Sequence, residues 1–242
     1  LLVNCDVKGL EVVVAAELSG DSVLRQEIID KVDIHDTNRV AFNLGEGKPG
    51  RLVAKIFKFR LIYGGSAYSY ANDPDFTGVS SSQKFWQGVI DRYYTKYSGV
   101  RNWHDGLLQT VKRDGYLEIP SGRFYSFTPE FKYNDWKWPL TTIKNYPVQG
   151  FGADLVMLAR IEAKRLLDAS GLTYKFVGTI HDSLVIDTPK ENCYTISMLL
   201  KQAVESVPDL CRAHFGYDFS LPLTCEISVG NNKRDLKEYN AI

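Results

Sequence analysis

The stretch YKFVGTIHDSLVIDTP, residues 174–189, commits this chain to a particular kind of sheet. Two runs rich in β-branched and aromatic residues flank His-Asp-Ser, and Thr-Pro closes the second. That pattern reads as a hairpin, and a hairpin is antiparallel. The turn carries an ionisable pair, His181 and Asp182, where apolar packing would cost less. Aspartate and serine are ordinary turn formers, so a plain turn accounts for His-Asp-Ser taken alone. Whether Asp182 has a further use is decided elsewhere in the sequence.

The remaining segments mix short strands with long helices and lack strict strand–helix–strand alternation. LLVNCDVKGLEVVVAAELSGD reads as a strand, a break at Lys8-Gly9, and an apolar helix closing at Ser19-Gly20. DSVLRQEIID is a short helix with Asp21 or Ser22 as N-cap. NLGEGKPG has the punctuation of a linker, and RLVAKIFKFRLIYGG is a helix stopped by two glycines. Residues 80–113 alternate polar and aromatic side chains at helical spacing, and GYLEIPSGRFYSF reads as a second hairpin. A long helix opens at Pro147 and stops near Gly171, with Leu155, Val156, Ala159, Ala163, Leu166 and Leu167 on its apolar side. Another helix over 190–206 and a final strand, LPLTCEISVG, complete the chain. The expected class is α+β, with an antiparallel sheet and flanking helices.

Composition bounds the answer loosely. At 242 residues, 44% of them hydrophobic, the chain can build one large domain or two small ones. Lys+Arg and Asp+Glu both total 29, so no net charge argues for or against a polyanionic partner. Cys5, Cys193, Cys211 and Cys225 form no CxxC pair, which fits reduced thiols and a cytoplasmic setting. No apolar run reaches the roughly 18 residues that span a bilayer. The first residues, LLVNCD, lack a methionine and already read as strand, so the expectation is the C-terminal part of something longer.

Chemistry enters with the helix RLVAKIFKFRLIYGG. Arg51, Lys55, Phe59 and Tyr63 follow one another at i+4 and share one stripe, about 18 Å long. Its N-terminal end is cationic and its C-terminal end aromatic. Helix N-termini favour anions, and aromatic faces stack on bases. A nucleoside triphosphate has the same polarity, with a charged tail and a flat base. An amphipathic helix with solvated cations has the same sequence pattern, so the stripe alone leaves both readings open.

Those residues carry a resemblance. RxxxKxxxFxxxYG, here Arg51, Lys55, Phe59, Tyr63 and Gly64, resembles motif B of family-A DNA polymerases, the DNA polymerase I class. DVKGLEVVVAAELSGD is similar to motif A, DIH (33–35) to the segment whose histidine meets the triphosphate, and His181-Asp182 to motif C. GYLEIPSGR, NYPVQGFGAD and the closing EISVG resemble further family segments in the correct order. The resemblance implies a right-hand polymerase lacking its thumb in this chain. Residues 1–34 would be the first part of the palm, 35–115 the fingers (motif B helix 51–64), and 116–242 the second part of the palm. It implies template-directed addition of dNTPs to a primer 3′-hydroxyl with two Mg²⁺ ions. Asp6 and Asp182 would be the metal-binding carboxylates. Lys55 would stabilise the departing pyrophosphate, and Arg51 and His35 would grip the triphosphate. Phe59 and Tyr63 would wall the nucleotide pocket. Glu11, hydrogen-bonded to Tyr63, would exclude a ribose 2′-hydroxyl. Asn145, Gln149 and His181 would contact DNA. The partners implied are primer–template DNA, dNTPs, and a thumb or exonuclease region upstream or on a separate chain, with no membrane.

Three positions depart from the family pattern. Ser183 stands where a glutamate commonly follows His-Asp, Lys8-Gly9 where Ser-Gln is usual, and Thr141 where an arginine precedes Asn145 by four residues. Such changes resemble divergence within a phage or plasmid lineage. Two other readings fit part of the pattern. A single-subunit RNA polymerase usually has methionine in place of Phe59 and no acidic gate at Glu11. A catalytically inactive polymerase-like module would only bind DNA or a partner.

Overall fold

The protein's computed structural model describes residues 1–132 and 134–239. In chain order the elements are β1 (Leu2–Val7), α1 (Leu10–Ser19), α2 (Ser22–Ile29), α3 (Ile34–Phe42), α4 (Gly47–Ile62), α5 (Ala67–Ala71), α6 (Gln83–Lys96) and α7 (Ser98–Asp114). Then come β2 (Tyr116–Glu118), β3 (Phe124–Ser126), β4 (Glu130–Lys132), β5 (Asp135–Lys137) and α8 (Leu140–Ser170). The chain closes with β6 (Lys175–Ile180), β7 (Ser183–Asp187), α9 (Cys193–Glu205), α10 (Val207–Phe215), β8 (Cys225–Gly230) and β9 (Lys237–Glu238). The class is α+β, as expected. The chain divides into a sheet unit, Leu1–Glu11, Pro120–Gly122 and Gln149–Ile242, and a helical unit, Val12–Ile119 and Arg123–Val148.

The sheet unit is built round a five-stranded antiparallel sheet in the order β6-β7-β1-β8-β9. β1 lies at its centre. Its side chains alternate strictly: Val3, Cys5 and Val7 are buried, while Leu2, Asn4 and Asp6 are half-exposed on the other face. That period of two is what a strand imposes, and it leaves polar side chains only one face to occupy. α9 packs against β1 and β8 through Ile196, Leu200, Ala203 and Val204. Leu155, Val156, Ala159, Ala163 and Leu167 of α8 are buried, and Leu166 is half-buried.

The helical unit has an aromatic core. Phe57 stacks on Trp86 with centroids 5.9 Å apart, and Tyr70, Phe76, Phe42 and Tyr93 surround the pair at 5.0–6.3 Å. Asp21, 3% exposed, ties helices together. Its Oδ1 accepts the Leu24 N–H at 2.8 Å as the N-cap of α2, and its Oδ2 accepts the Gly99 N–H at 2.7 Å at the start of α7. A side chain at position 99 would collide with the Asp21 backbone at 2.6 Å, so glycine is required there.

Several boundaries differ from the sequence reading, each for a physical reason. α4 starts at Gly47 rather than Arg51, because Pro49 sits in the first turn, where its missing N–H costs nothing. Arg51 is therefore one turn inside the helix. The same helix ends at Ile62, and Gly64 takes φ +88°, a conformation that glycine alone adopts freely. α8 starts at Leu140, before Pro147, which lies inside it. The added turns are anchored by Ile143, fully buried against Val111, Leu117 and Phe127. The aromatic segment over 80–113 breaks at Tyr97 into α6 and α7. α3, α5, α10, β9 and the β4–β5 hairpin are additions to the sequence reading.

One charge is placed against the usual rule. Lys58 on α4 is 1% exposed among the aromatic rings. Its electrostatic partner Glu27 is already committed to Lys96 at 2.8 Å and to the Tyr97 hydroxyl at 2.7 Å. Burial pulls the Lys58 amine from 10.5 down to about 7. The folded protein thus binds this proton more weakly than the unfolded chain. The penalty is full below pH 7 and is relieved as pH rises toward 10.5. We predict that Lys58→Met is more stable than wild type at pH 6. Its advantage should shrink by about 1.4 kcal/mol per pH unit above 7, read by urea unfolding. An advantage that does not change with pH would contradict the burial of a titrating amine.

Candidate active site

The turn between β6 and β7 consists of His181 and Asp182, with His181 exposed in the left-handed region at φ +54°. Two contacts fix this turn to the end of β1. The Val7 N–H donates to the Asp182 carbonyl at 3.1 Å. The Ser183 hydroxyl donates to Asp6 Oδ2 at 2.6 Å, in register with the Asp6–Ser183 strand pair. The sheet therefore brings Asp6 and Asp182, 176 positions apart in the sequence, into one electrostatic neighbourhood. Burial raises the Asp182 carboxyl above its ordinary value, and the charges of Asp6 and Glu11 raise it further.

Only the charge of His181 works in the other direction. Among the described residues no lysine or arginine forms an ion pair with Asp6 or Asp182, and the nearby Lys8 is bound to Glu226 at 2.7 Å. Two like charges held together without a cation are costly, and a divalent ion relieves the cost. The donors are hard carboxylate oxygens, which suit Mg²⁺. No group of three or more His, Cys, Asp or Glu side chains forms a metal cage among the described residues. An ion here would complete its shell with water and phosphate oxygens, which is the habit of Mg²⁺.

Glu11 lies at the start of α1, and its Oε1 accepts from Gln149 Nε2 at 3.1 Å. Gln149 is exposed on α8. Asp6, Glu11, Gln149, His181 and Asp182 all belong to the sheet unit. Lys8 and Gly9, the departures in motif A, have local uses: Lys8 neutralises Glu226, and Gly9 turns the chain at φ +56° between β1 and α1.

The other expected residues belong to the helical unit. On α4, Arg51 and Lys55 are exposed and Phe59 is half-buried, Tyr63 caps its C-terminus half-buried, and the opposite side carries Ala54, Phe57, Leu61 and Ile62 into the core. Lys55 Nζ sits 5.9 Å from the Phe59 ring centre. Arg51 Nε donates to Asp33 Oδ2 at 2.7 Å, a pair exposed enough to exchange readily for a stronger anion. Asp33 also caps α3 by accepting the Asp36 N–H at 3.1 Å, which fixes His35 in the first turn of that helix. The His35 ring lies 6.1 Å from Phe59, and its Nδ1 is buried without a hydrogen-bond partner. Burial, then the charges of Lys58, Arg51 and Lys55, push the imidazole down to about 3. His35 is thus a neutral group among cations. Asn145 is half-buried in α8.

Two features escaped the sequence reading. In the sequence Ser183 reads only as a missing carboxylate, but its hydroxyl donates to Asp6. Lys58 was invisible because nothing in the local sequence marks a lysine on a buried face, apart from its position between Phe57 and Phe59.

Comparison with known proteins follows the same lines. The family profile for DNA polymerase family A matches residues 1–235. The chain is 28% identical over 251 residues to the thermostable DNA polymerase I of Thermus aquaticus, covering 98% of this chain and 27% of that protein. It is 26% identical over 219 residues to DNA polymerase I of Streptococcus pneumoniae, covering 87% of this chain and 24% of the relative. The chain thus spans about a quarter of the length of the curated relatives it matches. These relatives are bacterial, which gives the expected phage or plasmid lineage no support. The POL domain of Pol1 from M. smegmatis, solved in complex with DNA primer-template and dNTP, superposes with a TM-score of 0.80 at 20% identity. It covers 96% of this chain and 39% of that one, and establishes the shared fold. With the profile match running through nearly its whole length, the chain belongs to DNA polymerase family A.

Proposed function

We propose that this protein extends a primer 3′-hydroxyl with deoxynucleotides under the direction of a DNA template. The observation that carries the proposal is the pair Asp6 and Asp182, brought into one electrostatic neighbourhood by the β1–β7 pairing, with no lysine or arginine ion-paired to either among the described residues. In the reaction, the primer oxygen bonds to the α-phosphorus as the bond to the β-phosphate breaks. Pyrophosphate leaves, and the hydroxyl proton passes to solvent. Asp6 and Asp182 would hold Mg²⁺, two ions in the full assembly, which when bound acidifies the hydroxyl and offsets charge on the leaving group.

The chain's own residues supply the rest. Arg51 exchanges its exposed contact with Asp33 for a phosphate oxygen. Lys55 neutralises charge that builds on the pyrophosphate. Neutral His35 offers a ring N–H to the triphosphate as a dipole rather than as a charge. Phe59 and Tyr63 give the nucleotide flat apolar surfaces, and Glu11, held by Gln149, occupies the space of a 2′-hydroxyl. Asn145, Gln149 and His181 contact the primer–template, where amide donors meet minor-groove acceptors that every base pair presents. We assign residues 1–34 and 116–242 to the palm and 35–115 to the fingers. A thumb would come from another part of a longer protein or from a separate chain.

Three outcomes are expected. Asp182→Asn, verified as folded by circular dichroism, should lose primer extension by on the order of 1,000-fold. Extension within tenfold of wild type, or NTPs used as well as dNTPs, would contradict the proposal. Phe59→Tyr should raise dideoxynucleotide incorporation, because its hydroxyl replaces the missing 3′-OH; equal use of both sugars by wild type would contradict that role for Phe59. In an NMR titration, the His35 imidazole should titrate near 3 in the free protein and shift upward when dNTP is added. No shift at saturating dNTP would remove His35 from the triphosphate site.

A further inference from the structure

Ser183 stands where family members commonly carry a third acidic residue, and the structure gives it a definite task. It is the first residue of β7, directly opposite Asp6 on β1, and it is 9% exposed. Its Oγ–H points at Asp6 Oδ2 from 2.6 Å. Among the described residues this is the one side-chain hydrogen bond that Asp6 makes. A carboxylate free to rotate about its Cβ–Cγ bond presents its oxygens in many directions. Fixing Oδ2 fixes Oδ1 as well, because the group is planar. The serine also differs in kind from a glutamate at this place. Glutamate would add a third negative charge and only accept hydrogen bonds, whereas the serine donates and adds no charge.

We infer that Ser183 is a positioning residue that presents the Asp6 carboxylate to a divalent cation in a set orientation. In this chain a hydrogen bond does by geometry what a further carboxylate would do by charge. The inference rests on the reading of Asp6 and Asp182 as cation ligands. Removing the hydrogen-bond partner of a metal-binding side chain typically lowers metal affinity about 10–100-fold.

The test is Mn²⁺ binding to the intact, DNA-free protein, followed by loss of the free-ion EPR signal, so that no turnover is involved. Ser183→Ala should weaken Mn²⁺ binding by about tenfold or more. Ser183→Thr, which keeps the hydroxyl, should stay within about threefold of wild type. Both variants should unfold at the wild-type temperature within a few degrees and bind primer–template as wild type does. The apparent Mg²⁺ requirement of primer extension should rise in Ser183→Ala, with the KM for dNTP at saturating Mg²⁺ little changed. Wild-type Mn²⁺ affinity in Ser183→Ala would overturn the inference. So would an equal loss in folded Ser183→Ala and Ser183→Thr, because the hydroxyl would then not be the operative group. Asp6→Asn separates the two levels. If Asp6→Asn abolishes Mn²⁺ binding while Ser183→Ala leaves it intact, only the role of Ser183 fails. If Asp6→Asn has no effect on Mn²⁺, the cation reading of Asp6 fails and takes this inference with it.

Discussion

The register of β1 is the constraint on which the sheet unit depends. Val3, Cys5 and Val7 are fully buried against the helices of their unit, so the strand cannot slip by one residue without exposing all three. The same lock holds Asp6 on the opposite face, beside Ser183 on one neighbouring strand and Glu226 on the other. Asp182 follows because the Val7 N–H captures its carbonyl. Apolar packing on one side of a strand thereby sets the position of charge on the other. The carboxylate pair, without a lysine or arginine ion-paired to it among the described residues, is an electrostatic cost that hydrophobic burial sustains.

The helical unit shows the complementary arrangement. Its aromatic core buries one side of α4 and leaves the cationic–aromatic stripe outward. The core also encloses Lys58, an amine that burial pulls down to about 7 and whose neighbour Glu27 is paired to Lys96. Burial, and after it the charges of Lys58, Arg51 and Lys55, keep His35 neutral. A neutral imidazole with a buried, unpartnered nitrogen is poised to respond to an incoming anion, since added negative charge restores its basicity. The unit therefore collects positive potential from residues at very different depths.

Local chemistry made much of this legible in the sequence. The β-branched and aromatic runs YKFVGTI and SLVID, with His-Asp between them, mark the β6–β7 hairpin, and Asp21 marks a helix start that the structure retains. The i+4 spacing of Arg51, Lys55, Phe59 and Tyr63 defines the stripe in the sequence itself. Punctuation misled where tertiary packing outweighed it. Pro147 reads as a helix start, yet buried Ile143 extends α8 ahead of it. GEGKPG reads as a linker, yet Pro49 is harmless in a first turn. The Asp33 cap of α3 lies within DIHDT, two residues before His35, and the segment carries a helix start as well as the histidine. Cross-strand contacts such as Ser183 with Asp6 lie beyond sequence reading, since they depend on which strands become neighbours.

The central claim is that Asp6 and Asp182 share a divalent cation. Anomalous diffraction from Mn²⁺-soaked crystals of the intact protein, with primer–template and an unreactive dNTP analogue bound, tests it most directly. The account predicts a manganese peak ligated by oxygens of both aspartates. A peak elsewhere, or one touching only a single aspartate while the other carboxylate stays remote, would contradict it.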